Sequence, residues 1–247
     1  MEPLITFSRV CMHFSTRSVI TNALADIDAS FARGSTTAIV GANASGKSTM
    51  LRIAAGVLAP STGRVESSAV HSALKRAFVP QRGSCAADFS VEELVSLGTS
   101  TRCAEQARVE CALDAVGLAS RRAVRYHSLS GGEQQRVRVA RAIAQIASPN
   151  GSVLLLDEPF SSLDPAEVAR LVRALRVFAQ EGGSVILSLH DAGLAREVAD
   201  DAIALRMGRV IAHGRAHEVL SPAVLSEVYA HEMLEASTTA RWLRPRL

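Results

Sequence analysis

A chain of 247 residues fits one large domain or two small ones and is long enough to bury a substantial core. Hydrophobic residues make up 48% of it and the formal net charge is only +3, which excludes a disordered polyelectrolyte and leaves no concentrated basic patch for a nucleic-acid partner. The densest basic stretches are Arg121, Arg122 and Arg125, and Arg136, Arg138 and Arg141; the second repeats at helical spacing and reads as a solvated or salt-bridged helix face.

The cysteines are Cys11, Cys85, Cys103 and Cys111, with no CxxC pair and no adjacent histidine cluster. They read as reduced thiols of a cytosolic protein and not as a disulfide framework or zinc site. The N-terminus lacks a basic start followed by an apolar run, so no signal peptide is expected. No stretch approaches the roughly 18 consecutive apolar residues of a membrane helix. If the protein serves a membrane process, another chain must supply the spanning helices.

Alternating apolar positions over Ile5–Val10 and Leu24–Phe31 predict an antiparallel β start. Thr36–Val40 is a short apolar strand ending at Gly41, and a helical pattern runs from Ser48 to Gly56. Between them, Gly41-Ala-Asn-Ala-Ser-Gly-Lys-Ser48 matches the P-loop pattern G-x-x-x-x-G-K-[ST], in the strand–loop–helix context that the pattern needs. Glycines let the backbone wrap a phosphate chain, and free N–H groups at the helix start attract negative charge. Gly41, Asn43, Ala44, Ser45, Gly46, Lys47, Ser48 and Thr49 are therefore the expected nucleotide-binding set. Lys47 is expected to reach the β- and γ-phosphates of ATP and Ser48 to ligate Mg²⁺. The plainer alternative is a flexible glycine turn.

Ala77–Pro80 reads as another strand. Residues 88–147 read mostly as helix, over Val91–Leu97, Ala104–Val116 and Glu133–Ala147. Val153–Leu156 is a buried strand ending in Asp157 and Glu158, a Walker B pattern. Asp157 is expected to hold Mg²⁺, directly or through water, and Glu158 to polarise the attacking water as general base. Taken alone, such acids often only cap the next helix. Pro165–Gln180 follows as a helix, Ser184–Leu189 as a strand and Leu194–Ala199 as a helix; Ile203–Arg206 and Arg209–His213 flank a hairpin turn at Met207–Gly208. This order predicts an α/β core with a mostly parallel sheet, spanning residues 1–235 with the helical block inserted, and a polar, basic tail over 236–247.

Leu129-Ser-Gly-Gly-Glu-Gln-Gln-Arg136 resembles the LSGGQ signature of the ABC ATPase family, with Glu133 in place of the usual glutamine. Ser130, Gly131 and Gly132 open a helix, so they offer N–H groups and a positive dipole end to phosphate; a simple N-cap at Ser130 is the alternative. The resemblance extends from about residue 4 to residue 230 and implies the roles that follow. Gln81, in Phe78-Val-Pro-Gln81, matches the Q-loop glutamine that senses Mg²⁺ and the γ-phosphate. Ser161-Ser-Leu-Asp164 matches the D-loop, and His190 the switch histidine that contacts the γ-phosphate. Phe14 falls where the family places the aromatic residue that stacks on adenine; with Phe7 and Phe31 nearby, a core aromatic is the alternative. The family loop usually carries a third glycine where this chain has Ala44, a methyl group expected to be tolerated if the local φ is negative.

The resemblance further implies a P-loop NTPase core with an N-terminal antiparallel β subdomain and an inserted helical subdomain. It implies two copies arranged head to tail, with two ATP molecules sandwiched between the P-loop of one and Ser130–Gly132 of the other. Transmembrane permease subunits would dock near Asp88–Gly98, at the cytoplasmic face of the cell membrane, and a substrate-binding protein would take part indirectly. Sustained heptads, a second P-loop and fused membrane helices are absent from the sequence, which points away from chromosome-structure, translation and exporter members. The chain ends too soon for the C-terminal regulatory domain common in sugar importers. Val79-Pro-Gln-Arg82 with Phe89–Gly98, His190–Ala195 with Val198–Asp200, and Gly208–Gly214 with Glu218–Pro222 and Leu225–Tyr229 are most similar to ATPases that import iron–siderophore complexes, haem or vitamin B12. Zinc and manganese importer ATPases share the first stretch and are the runner-up.

Overall fold

The computed structural model describes residues 3–16, 19–67, 75–83, 87–97 and 102–234. The expected tail over 236–247, Gly98 of the expected docking segment and Cys85 lie outside the described residues. Strands β1 (Pro3–Thr16) and β2 (Val19–Ala32) pair antiparallel, with Phe7 opposite Ala29 and Val10 opposite Ile27. The register shifts along this pair, and Arg9 and Asp26, at φ 48° and 54°, lie within the shifted stretches.

The second sheet has the order β5-β6-β7-β3-β8-β9. Its strands are β3 (Thr36–Gly41), β5 (Lys75–Val79), β6 (Ser152–Asp157), β7 (Ser184–Leu189), β8 (Asp201–Arg206) and β9 (Arg209–Arg215). All neighbours are parallel except β8 and β9, whose turn carries Met207 and Gly208 at φ 48° and 75°. Strand β4 (Thr62–Ser67), which the sequence pattern does not predict, joins the free edge of β1 to give a sheet ordered β2-β1-β4.

Because alternate side chains of a strand point to opposite faces, the central strands are buried on both. Ile39, Val153, Leu155, Ile186, Ile203 and Leu205 pack with the β1–β2 face (Leu4, Ile5, Phe7, Leu24, Ile27, Phe31) and with helix α1 (Lys47–Ala54). Phe7 and Phe31 meet edge to face, ring centroids 5.8 Å apart. On the other side, Ala38, Val40, Leu154, Leu156, Val185 and Leu187 pack with the helices.

Three of those helices fall between β5 and β6: α2 (Val91–Ser96), α3 (Arg102–Ala115) and α4 (Gly131–Gln145). Helices α5 (Pro165–Gln180), α6 (Ala192–Val198), α7 (Ala216–Val219) and α8 (Pro222–Tyr229) complete the chain. Ser90, Ser130 and Asp164 each form a reciprocal capping box, with Glu93, Glu133 and Glu167. The α4 arginines decide between the two expected readings of their face, solvated or salt-bridged. Arg136 is only 7% exposed and donates to the Val116 carbonyl at 2.9 Å and to Glu167 at 2.5 Å, so at this position the face is salt-bridged and not solvated. Arg138, half-buried, donates to the Gly83 carbonyl at 3.0 Å and to Gln135.

The parallel sheet fixes where chemistry can occur. The C-terminal ends of β3, β6 and β7 lie side by side, so the loop after Gly41, the acids at Asp157 and Glu158, and His190 all emerge at one edge.

Candidate nucleotide site

The loop between β3 and α1 closes tightly on its surroundings. Gly41 has φ 154°, and a Cβ there would stand 2.3 Å from the Leu205 carbonyl oxygen. Gly46, at φ 105°, precedes α1; its Cβ would meet the Ala23 carbonyl oxygen at 2.6 Å. Neither position accepts a side chain, which explains the first and last glycines of the motif. Ala44 departs from expectation. Its φ is +62°, in the left-handed region and not negative, at a cost of about 1–2 kcal/mol for a residue with a Cβ. Asn43 and Ala44 are exposed, Ser45 is buried and Thr49 is half-buried in the first turn of α1.

Lys47 is 5% exposed, and its Nζ donates to the carbonyls of Gly41 at 2.8 Å and Ala42 at 3.0 Å. Burial pushes this ammonium below its ordinary pKa, opposed by the negative charges of Glu158 and Asp157. A phosphate in the loop would add negative charge beside this buried cation.

Asp157 ends β6 at 1% exposure. Its Oδ1 accepts from Ser48 Oγ at 3.0 Å and from Ser188 Oγ at 2.6 Å, while Oδ2 is buried without a protein partner. One unpaired buried carboxylate oxygen beside a serine hydroxyl suits a hard cation such as Mg²⁺. Among the described residues no group of three His, Cys, Asp or Glu gathers to hold a metal, so a cation here would complete its shell from water and phosphate.

Glu158 follows at φ 49°, and its N–H donates to Ser188 Oγ at 2.9 Å. One carboxylate oxygen accepts from Gln81 Nε2 at 2.5 Å and the other meets His190 Nε2. The structure thus brings Gln81, Glu158 and His190 into one hydrogen-bonded chain beside Asp157, Ser48 and Lys47. Ser188 is a participant that sequence reasoning missed. Its hydroxyl is fully buried in β7 between Leu187 and Leu189, and such a group needs a polar partner.

The other expected residues lie on separate elements. Ser130 is the N-cap of α4, accepting from the Glu133 N–H at 3.2 Å while the Glu133 carboxylate accepts from the Ser130 N–H at 3.0 Å. That amide holds the Glu133 carboxyl below its usual pKa. Gly131 is exposed, with nothing within 4 Å of an added Cβ; Gly132 is buried, and its Cβ would press the Ser162 carbonyl oxygen of the D-loop at 2.9 Å. Phe14 is 42% exposed and is no part of the core that holds Phe7 and Phe31. It pairs across β1–β2 with Thr21, on the strand whose Ala23 carbonyl crowds Gly46.

A phosphate-binding loop, a carboxylate strand and a signature helix on this double-layered sheet define a P-loop nucleotide-binding domain. The chain belongs to the ABC transporter family, whose profile matches residues 24–161, and it is an ATP-binding subunit of that family. Hemin import ATP-binding protein HmuV of Rhizobium meliloti (strain 1021) is 38% identical over 218 residues, covering 82% of this chain and 83% of that protein. HmuV of Rhodopseudomonas palustris (strain BisA53) is 40% identical over 214 residues, covering 81% and 79%. Among solved structures, a bacterial ABC transporter cassette in dimeric form superposes with a TM-score of 0.75 at 26% identity, over 86% of this chain and 98% of that one. The same cassette in a post-hydrolysis dimer bound to ADP and Pi gives a TM-score of 0.75 at 25% identity, over 86% and 98%. Among the described residues no helix is long and apolar enough to cross a membrane.

Proposed function

We propose that this chain is the ATP-hydrolysing subunit of an importer of haem, iron–siderophore complexes or cobalamin. It works as a head-to-tail pair at the cytoplasmic face of the membrane, beneath permease subunits that a substrate-binding protein supplies with cargo. The observation that carries the hydrolytic role is the placement of Glu158 between Gln81 and His190, beside the P-loop. The cargo class rests on the similarity to hemin import proteins at 38–40% identity and on no residue that touches cargo.

Loop amides and Lys47 bind the β- and γ-phosphates. Ser48 and the free oxygen of Asp157 would hold Mg²⁺, with Gln81 nearby; when bound, Mg²⁺ supplies charge neutralisation for the phosphates. Glu158 accepts a proton as a water oxygen attacks the γ-phosphorus; the bond to the β–γ bridging oxygen breaks, leaving ADP and inorganic phosphate. Gln81 and His190 fix the carboxylate, and His190 also contacts the γ-phosphate. Phe14 stacks on adenine. Ser130, Gly131 and Gly132 of the second copy complete the site, so ATP favours the closed pair and hydrolysis releases it.

The test is deletion of the gene followed by uptake of labelled haem, ferric siderophore, cobalamin, zinc and manganese. Loss of uptake of one of the first three is expected. Loss of zinc or manganese uptake alone would overturn the cargo class and leave the ATPase reading standing.

A further inference from the structure

Helix α8 is the last helix described, and it is anchored at several points. Leu225 and Val228 are buried at 8% and 2% exposure. Arg206 of β8 donates to the Glu227 carbonyl at 2.9 Å, and Ser226 Oγ accepts from the Met233 N–H at 2.9 Å. Ala230, at φ 52°, ends the helix, so its final residue, Tyr229, has a fixed backbone. Tyr229 Oη donates to the backbone carbonyl of His190 at 3.2 Å. Burial, with the nearby Asp191 carboxylate, pushes the phenol above its ordinary pKa, so it keeps its proton to donate.

We propose that Tyr229 is a positioning residue for ATP hydrolysis, holding the backbone at the root of His190. The imidazole of His190 is 44% exposed and meets Glu158 at its tip, so its aim depends on where its backbone is held. One side of that backbone is set by Asp191, which accepts from the Leu194 N–H at 3.0 Å to cap α6. Tyr229 sets the other. Small displacements of a catalytic group are costly in rate, because the reacting geometry is narrow. This inference rests on the reading of His190 as the γ-phosphate contact.

The test compares the full chain with Tyr229→Phe, which keeps the ring and removes only the hydroxyl, with His190→Ala, and with the two changes combined. One neutral hydrogen bond is worth a rate factor of about five to ten when its loss misaligns a reacting group. The expected result is that loss in kcat, with KM for ATP and melting temperature unchanged, and no further loss on adding Tyr229→Phe to His190→Ala. A wild-type rate in Tyr229→Phe overturns the inference. So does an equal loss in both backgrounds, or a loss that follows a raised KM or a lowered melting temperature, since Tyr229 would then be a structural prop. If His190→Ala itself hydrolyses ATP at the wild-type rate, the reading of His190 fails and this inference with it. A slow His190→Ala with a normal Tyr229→Phe removes this inference alone.

Discussion

Gln81 and Glu158, 77 residues apart in sequence, meet through an amide-to-carboxylate hydrogen bond of 2.5 Å. The Gln81 amide fixes one oxygen of Glu158 while the other meets His190, so the carboxylate is oriented before any water arrives. Glu158→Gln keeps this shape and removes the basicity. Steady-state hydrolysis is expected to fall by about 10²- to 10⁴-fold while ATP still binds and holds the pair closed. Gel filtration with ATP and a phosphate-release assay read both. A variant that turns over at the wild-type rate would remove Glu158 as general base.

Lys47→Ala separates binding from folding. The loop holds no second cation, so ATP affinity is expected to drop about 10- to 100-fold, the worth of a charge-assisted contact. Calorimetry gives the number. The variant also loses the donations to the Gly41 and Ala42 carbonyls, so a thermal melt beside the calorimetry separates lost binding from a weakened fold. Unchanged ATP affinity would contradict the P-loop assignment.

Ser130→Arg places a bulky cation where a second copy's phosphate is expected. Each monomer should still bind ATP, and ATP should no longer produce the dimer peak. Ser130 also caps α4, so some stability, about 1 kcal/mol, goes with the serine. A thermal melt separates that loss from failed closure. Normal ATP-dependent dimerisation would show that the signature does not act across the pair.

Ala44→Gly relieves a left-handed residue at φ +62°. About 1 kcal/mol of strain is removed, partly offset by the freer unfolded glycine. A melting temperature higher by about 1–2 °C is expected for a chain of this size, since about half the gain remains after the offset. An unchanged or lower value would mean that the loop does not carry the strain that its φ implies.

Strands β3, β6 and β7 were legible because both their faces are buried, which writes short, mostly apolar runs into them, Ala38–Val40, Val153–Leu156 and Val185–Leu187. Helix α5 was legible from its cap, Asp164, followed by Pro165. Strand β4 was not, because it is exposed along nearly all its length and only Val65 is half-buried. It is held by backbone pairing to β1, which leaves no side-chain pattern. Helix α8 does carry a signal, Ser221 before Pro222, and that cap could have located it. The P-loop, Walker B and switch residues were legible as motifs. The φ of Ala44 and the hydroxyl of Ser188 were not, since each depends on loop geometry or on a neighbouring strand.

The position of β3 has a consequence for synthesis. Its neighbours on both sides are strands made much later: the Thr36 N–H bonds Asp200 across 164 residues, and the Gly34 N–H bonds Ser184 across 150. At about 5–20 residues per second, the ribosome leaves β3 without either neighbour for roughly ten to thirty seconds. Throughout that interval the nascent chain carries an apolar strand with two open edges, the form that pairs with the wrong partner. Chains that stop before β8 would never close the sheet, so premature termination yields aggregation-prone fragments and no working half-domain.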